Sequence, residues 1–189
     1  MAIKGFVMSY QLEHKQKFEI LNIQITNQDQ LRKQANGGNS ILFTYPPNQE
    51  QEYLDKAQEL YHQQAEFIDI SKLLVQAIDE DGWDAFEEYY KDFISTPSKL
   101  FKSDDPEIDL FELIIQAIEQ AVANDKIPMI VRSGCLYGTG IENVNIMEHS
   151  SVMKLEHPLV IFYPAKVTDD NVFFLNFKSA SKYRCILLK

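Results

Sequence analysis

Five residues stand where apolar runs of the chain stop, and their types could do chemistry: Tyr45, Asp69, Arg132, Ser133 and Tyr163. Ligands of open parallel sheets sit outside the carboxyl ends of the strands. These residues could therefore line one crevice, with Arg132 positioned for an anion. The competing reading is structural. Charged groups near a core are usually paired, so Arg132 could instead bind a nearby acid such as Asp69 and fix a loop. Removing Arg132 from a buried pair would then cost about 3–5 kcal/mol.

Other chemistries find less footing. After the first of these runs comes Pro46-Pro47-Asn48-Gln49-Glu50, not the Gly-rich turn and Lys-Ser/Thr of a phosphate loop. Gly134, Gly138 and Gly140 do not have dinucleotide-fingerprint spacing, and they read as a tight connection. Ser133 is preceded by Arg132 rather than by the glycine pattern of a nucleophile elbow. His14, His62, His149 and His157 show no metal-ligand spacing, and no cysteine pair accompanies them. Cys135 and Cys185 each sit at an apolar segment and read as small core residues. The carboxylates of residues 79–92 read as a solvated helix face. On these grounds the chain is expected to have no catalytic residue, no metal and no cofactor.

The elements that would position the five residues follow from periodicity. Pro128-Met129-Ile130-Val131 and Leu159-Val160-Ile161-Phe162 are unbroken apolar runs, as strands buried on both faces require. Ile41-Leu42-Phe43-Thr44-Tyr45 and Glu66-Phe67-Ile68-Asp69-Ile70 add two more. Helical stripes lie between them: Tyr53, Leu54, Ala57, Leu60 and Tyr61; Leu73, Leu74, Ala77 and Ile78, with Ser71 as cap; and Trp83, Phe86, Tyr90 and Phe93. Asp105-Pro106-Glu107 has the makings of a helix start, and the helix beyond it is apolar over most of its circumference. A loop over 135–140 and a weaker helix over 142–154 precede the run ending at Tyr163. Phe173–Phe177 and Tyr183–Leu188 close the chain as strands, read as a hairpin at one sheet edge. Residues 1–36 form an N-terminal helical extension, in which Ile23-Gln24-Ile25 could equally be a short strand. The expected fold is α/β: a three-layer sandwich with a mostly parallel central sheet, helices on both faces and a C-terminal strand pair at one edge.

Composition bounds the function. The 189 residues make one domain, 45% hydrophobic and 24% charged. The net charge of −10 argues against direct nucleic-acid binding, which draws on a field of Lys and Arg. No stretch has the length of a membrane span, and with two unpaired cysteines the expected setting is cytoplasmic.

Four stretches together resemble the BrxB family, a small core component of BREX bacteriophage-defence systems: Ile41-Leu42-Phe43-Thr44-Tyr45-Pro46-Pro47; Ile68-Asp69-Ile70-Ser71-Lys72-Leu73-Leu74; Val131-Arg132-Ser133-Gly134-Cys135-Leu136-Tyr137; and Phe162-Tyr163-Pro164, continued by Tyr183-Arg184. Their order and spacing carry the resemblance. The chain departs from the family at Ala165, where glycine is usual, and at Gly138-Thr139-Gly140, where proline is frequent. The family has no established catalytic residues to transfer. The resemblance implies work beside a PglZ-type alkaline-phosphatase-like protein, a PglX-type DNA methyltransferase and a BrxC-type ATPase.

The expectation is therefore a non-catalytic adaptor that binds a larger BREX protein, most of all the PglZ-type one. The alternative is a small enzyme, or a nucleotide- or anion-sensing domain, using the strand-end crevice. Aromatic side chains on outward helices (Tyr53, Tyr61, Trp83, Tyr89 and Tyr90) would build the docking surface. Trp83, Tyr89 and Tyr90 are the candidate partner-binding residues, and Tyr89 leads because it lies off the Trp83-Phe86-Tyr90-Phe93 core stripe. Pro46 and Pro47 supply no backbone N–H to cradle a phosphate. Calorimetry with ATP and magnesium is accordingly expected to show no binding in the micromolar range, and a micromolar Kd would refute the point.

Overall fold

The computed structural model describes the backbone of residues 2–80, 82–103, 109–169 and 171–189, with side chains from residue 14 onward. Two helices open the chain, α1 (Ala2–Thr26) and α2 (Gln28–Gln34), so Ile23-Gln24-Ile25 is helical. Strand β1 (Ser40–Tyr45) follows and ends at Pro46; a short 3-10 turn then leads into α3 (Glu50–Tyr61). Next come β2 (Ala65–Asp69) and α4 (Ile70–Asp79). Helices α5 (Trp83–Phe93), α6 (Ser98–Phe101) and α7 (Leu110–Ala123) lie between α4 and β3 (Ile127–Val131). Two short helices, α8 (Asn143–Met147) and α9 (Ser150–Lys154), precede β4 (Leu159–Val167). The chain closes with β5 (Val172–Phe174), β6 (Lys178–Ala180) and β7 (Cys185–Leu188).

Five strands form a parallel sheet in the order β2-β3-β4-β1-β7. Side chains alternate across it. Ile41, Phe43 and Tyr45 of β1 and Val160 and Phe162 of β4 face one layer, where Phe18, Leu21, Tyr53, Ala57 and Tyr61 cover them. Leu42, Ile161 and Tyr163 face the other, against Ile114, Ile115 and Ile118 of α7 and Ile146 and Met147 of α8. Cover on both sides is why β1 and β4 need unbroken apolar sequence. Ile41, Leu42 and Phe43 are wholly inaccessible, each worth roughly 1.5–3 kcal/mol of burial.

The C-terminal strands lie at the sheet margin, but Phe173–Phe177 and Tyr183–Leu188 are not the two arms of one hairpin. The hairpin joins β5 to β6 and pairs antiparallel with residues 165–167 of β4. β7 crosses back to lie parallel to β1, where the Thr44 hydroxyl donates to the Leu188 carbonyl at 2.7 Å. A parallel partner at the β1 edge buries Leu188, which an antiparallel hairpin beyond β5 would leave outside the core.

Helix starts also differ in detail. Asp69, not Ser71, caps α4: its carboxylate accepts from the Ser71 backbone N–H at 3.0 Å and from the Ser71 hydroxyl at 2.6 Å. The stretch Asp105-Pro106-Glu107 lies outside the described residues, and α7 from Leu110 is capped by Asp109, which accepts from the Glu112 N–H.

A buried amide fastens the N-terminal end of the sheet. Asn39 is fully inaccessible; its side-chain amide donates to the carbonyls of Leu155 at 3.0 Å and His157 at 3.2 Å and accepts from Gln28 at 3.0 Å. Next to it, Gly38 passes so close to the segment entering β7 that a Cβ there would lie 1.9 Å from the Arg184 carbonyl oxygen. That neighbour is backbone and cannot turn aside. Gly38→Ala should therefore destabilise the fold by about 3 kcal/mol, the upper end for an overpacked site, whereas Gly37→Ala meets only the strain of its positive φ. Urea denaturation of the two variants decides this, and equal midpoints would refute it.

Candidate functional site

At the carboxyl end of the sheet, β1 turns at Pro46, β2 passes into α4, and β3 stops at Arg132. Arg132 holds a left-handed backbone (φ 54°, ψ 34°), which redirects the chain into a 3-10 turn over residues 133–136. Its Nε lies 3.3 Å from Asp69 Oδ2, so the expected pair forms. Asp69 is thus shared, one oxygen capping α4 and the other facing Arg132. The arginine side chain is 43% exposed, however, and its two terminal amino groups bond to none of the described residues. Solvent screens such a pair, so the expected 3–5 kcal/mol falls to about 1 kcal/mol.

The other strand-end residues are held inside the protein. The Tyr45 hydroxyl donates to Glu50 Oε1 at 2.7 Å, and its ring stacks on Tyr53 with centroids 5.3 Å apart. Burial, followed by the Glu50 hydrogen bond and charge, drives its phenol far above the ordinary tyrosine range, while Arg132 pulls weakly the other way. Ser133 is inaccessible and donates to the Phe162 carbonyl at 2.6 Å. Tyr163 is buried in the opposite layer, stacked on Phe174 at 4.7 Å, and burial raises its phenol as well. The structure thus gathers Tyr45, Asp69 and Arg132, uses Ser133 to tie β3 to β4, and puts Tyr163 on the other side of the sheet.

Two further residues belong to the cluster and were not singled out from sequence. Glu50 opens α3 and reaches back to Tyr45; its position in the first helical turn after β1 was the available signal. Cys135 was read as core, yet it feels Glu50, Asp69 and Arg132. Burial foremost, then the two carboxylates, raise its thiol, and Arg132 lowers it. Cys185 is pushed up by burial to about 12. Both thiols are free, and neither is in the low range that makes a nucleophile. Among the described residues no group of three His, Cys, Asp or Glu is placed to hold a metal ion. What the cluster can offer chemically is the open edge of the Arg132 guanidinium.

The aromatic residues divide differently. Tyr53 and Tyr61 are core, packed around Phe18 and Phe43. Trp83, Tyr89 and Tyr90 are 60%, 63% and 37% exposed, and α5 has no buried residue among those described. Its rings contact each other: Trp83 with Phe86 at 6.0 Å, Phe86 with Tyr90 at 5.9 Å, and Tyr89 with Phe93 at 5.9 Å. Phe86 also meets Phe101, which links the helix to the core. Val75 on α4 and Ile94 just after α5 are exposed as well. A second exposed aromatic pair, Tyr137 and Phe177, stands edge to face at 5.4 Å.

No protein family, curated protein or solved structure matches the chain in comparison. No helix among the described residues is long and apolar enough to cross a membrane.

The Asp69–Arg132 arrangement orders three variants. Arg132→Ala should cost about 1 kcal/mol. Arg132→Gly, which relaxes the left-handed backbone, should be no less stable than Arg132→Ala. Asp69→Ala should cost about 2 kcal/mol, because it removes a helix cap together with the pair. Urea midpoints measure all three, and a loss beyond 3 kcal/mol for Arg132→Ala would restore the buried-pair reading.

Proposed function

We propose that this chain is a non-catalytic adaptor that docks a larger protein through the outer face of α5. The observation carrying the proposal is that a helix with five aromatic rings, in contact as Trp83-Phe86-Tyr90 and as Tyr89-Phe93, buries none of them fully. An amphipathic helix normally commits its aromatic stripe to a core. Here Trp83 and Tyr89 remain largely in solvent, and large amphipathic rings in that position supply much of the energy of protein interfaces. The strand-end residues favour the same reading, since Ser133, Tyr45 and Tyr163 are spent on internal packing and hydrogen bonds.

Charge indicates the character of the partner. Asp84, Glu87, Glu88 and Asp92 flank the rings; the helix's single lysine, Lys91, is engaged by Glu87 at 2.9 Å. A complementary face would have an apolar recess with Lys or Arg on its rim. By the resemblance to the BrxB family, the partner is a larger BREX protein in the cytoplasm, the PglZ-type protein first, with the PglX-type methyltransferase or BrxC-type ATPase next.

Size-exclusion chromatography with the purified PglZ-type protein tests the partner. Co-elution is expected at tens of micromolar of each in about 150 mM salt, and separate elution would count against it. Trp83→Ala with Tyr89→Ala should weaken binding about thirtyfold or more, at an unchanged melting temperature. Undiminished binding by that variant would remove α5 from the interface.

A further inference from the structure

Each exposed ring of α5 has a carboxylate one helical turn away. Glu87 stands four residues after Trp83 and three before Tyr90, and Asp92 stands three after Tyr89. Side chains at those spacings share a face of the helix, with Cβ atoms about 5–6 Å apart. Phe86 stacks on Tyr90 and Phe93 on Tyr89, which covers one face of each tyrosine and leaves the other with no described ring against it.

The helix does not neutralise these acids itself. Asp84, Glu88 and Asp92 recur at every fourth residue, are exposed, and form no ion pair or hydrogen bond among the described residues. Like charges four apart on a helix repel. Lys91 is held by Glu87 at 2.9 Å, in a surface pair that an incoming cation can displace at little cost. Elsewhere in the chain cations do lie over rings: Lys102 over Phe111 at 5.3 Å and Arg184 over Tyr183 at 5.4 Å. Among the described residues none lies over a ring of α5.

An occupant that meets both parts is cationic and flat. A guanidinium lies on an aromatic face while its N–H edge donates, in its own plane, to a carboxylate beside the ring. An ammonium is compact and strongly hydrated, and serves the two less well together. A second copy of this acidic face, or an anionic membrane surface, would be repelled. We propose that α5 takes an arginine-bearing segment of its partner, with one guanidinium on Trp83 and Tyr90 against Glu87 and another on Tyr89 against Asp92. This rests on the adaptor reading of α5 and names what that helix recognises.

Trp83 is the one tryptophan of the chain, so its fluorescence reports on the site directly. The test titrates the full chain with end-blocked hexa-arginine, and with hexa-lysine as control, in about 50 mM salt. Saturable quenching by hexa-arginine is expected, with a Kd about fivefold or more below that of hexa-lysine. Glu87→Gln with Asp92→Asn should weaken it about fivefold or more. Glu66→Gln with Glu119→Gln, which removes the same charge at exposed positions off α5, should change it by less than about twofold. No saturable response, equal affinity for the two peptides, or equal losses in the two double variants would overturn the inference. Co-elution with the PglZ-type protein separates it from the adaptor reading. If Trp83→Ala with Tyr89→Ala abolishes co-elution but Glu87→Gln with Asp92→Asn leaves it intact, α5 docks an apolar surface and the arginine inference alone fails. If hexa-arginine binds as expected but the PglZ-type protein elutes separately, the arginine site stands and that partner is lost.

Discussion

The pairing of β1 with β4 is the constraint on which the rest depends. Six consecutive Cα partners, Ser40 with Leu159 through Tyr45 with Pro164, set two apolar strands side by side at the centre of the sheet. Apolar side chains emerge from both faces, so both must be covered. One layer is supplied by α1, α2 and α3, the other by α7 and the short helices before β4. Asn39 fixes where this pairing begins. Its amide bonds to the segment just before β4, while its carbonyl accepts from the Leu159 N–H. A buried amide with these partners tolerates one register only, because a slip would leave its polar atoms unpaired.

At the other end of the sheet, polar groups serve the turn from strand to helix. Asp69 caps α4 and faces Arg132, Ser133 ties the turn after β3 to the β4 backbone, and Tyr45 is locked to Glu50. Reactive chemistry would ask the opposite of these groups: a thiol or hydroxyl lowered toward neutrality, or a carboxylate with a free oxygen near a bound substrate. Burial instead raises Tyr45, Tyr163 and Cys135. The features turned toward solvent lie elsewhere, on α5.

The strands were readable in the sequence because two-sided burial leaves an unambiguous mark. The runs at 41–45, 128–131 and 159–162 contain almost nothing a surface would accept, and Pro46 ends the first where periodicity says it should. The helical period of α5 was equally plain, but its stripe is not the core face that the spacing suggests: Trp83 is as exposed as Tyr89, and no residue of the helix is buried. Pairing was not legible. Nothing local in Cys185-Ile186-Leu187-Leu188 states that its neighbour is β1, some 140 residues earlier, rather than β5. The cap of α4 was displaced because Asp69 and Ser71 both suit that role, and only backbone geometry decides between them. Glu50 was missed for a similar reason: its contact with Tyr45 spans a turn containing two prolines, whose direction sequence does not specify. Arg132 was placed correctly beside Asp69, but its exposure depends on how the loop leaves β3.

The sheet order has a consequence for how the chain is made. β1 precedes every other strand of this sheet in the chain, yet its two neighbours, β4 and β7, begin at Leu159 and Cys185. β2 and β3 can pair with each other earlier, but neither adjoins β1. Through most of translation Ile41, Leu42 and Phe43 therefore have no strand on either side, and the contacts that eventually bury them are among the most distant in sequence. Such topologies fold slowly and carry unpaired apolar edges while they wait. α1, α2 and α3, which lie next to β1 in sequence and contribute Phe18, Leu21, Leu31 and Tyr53 to its cover, are made early enough to shield one face of it in the interval.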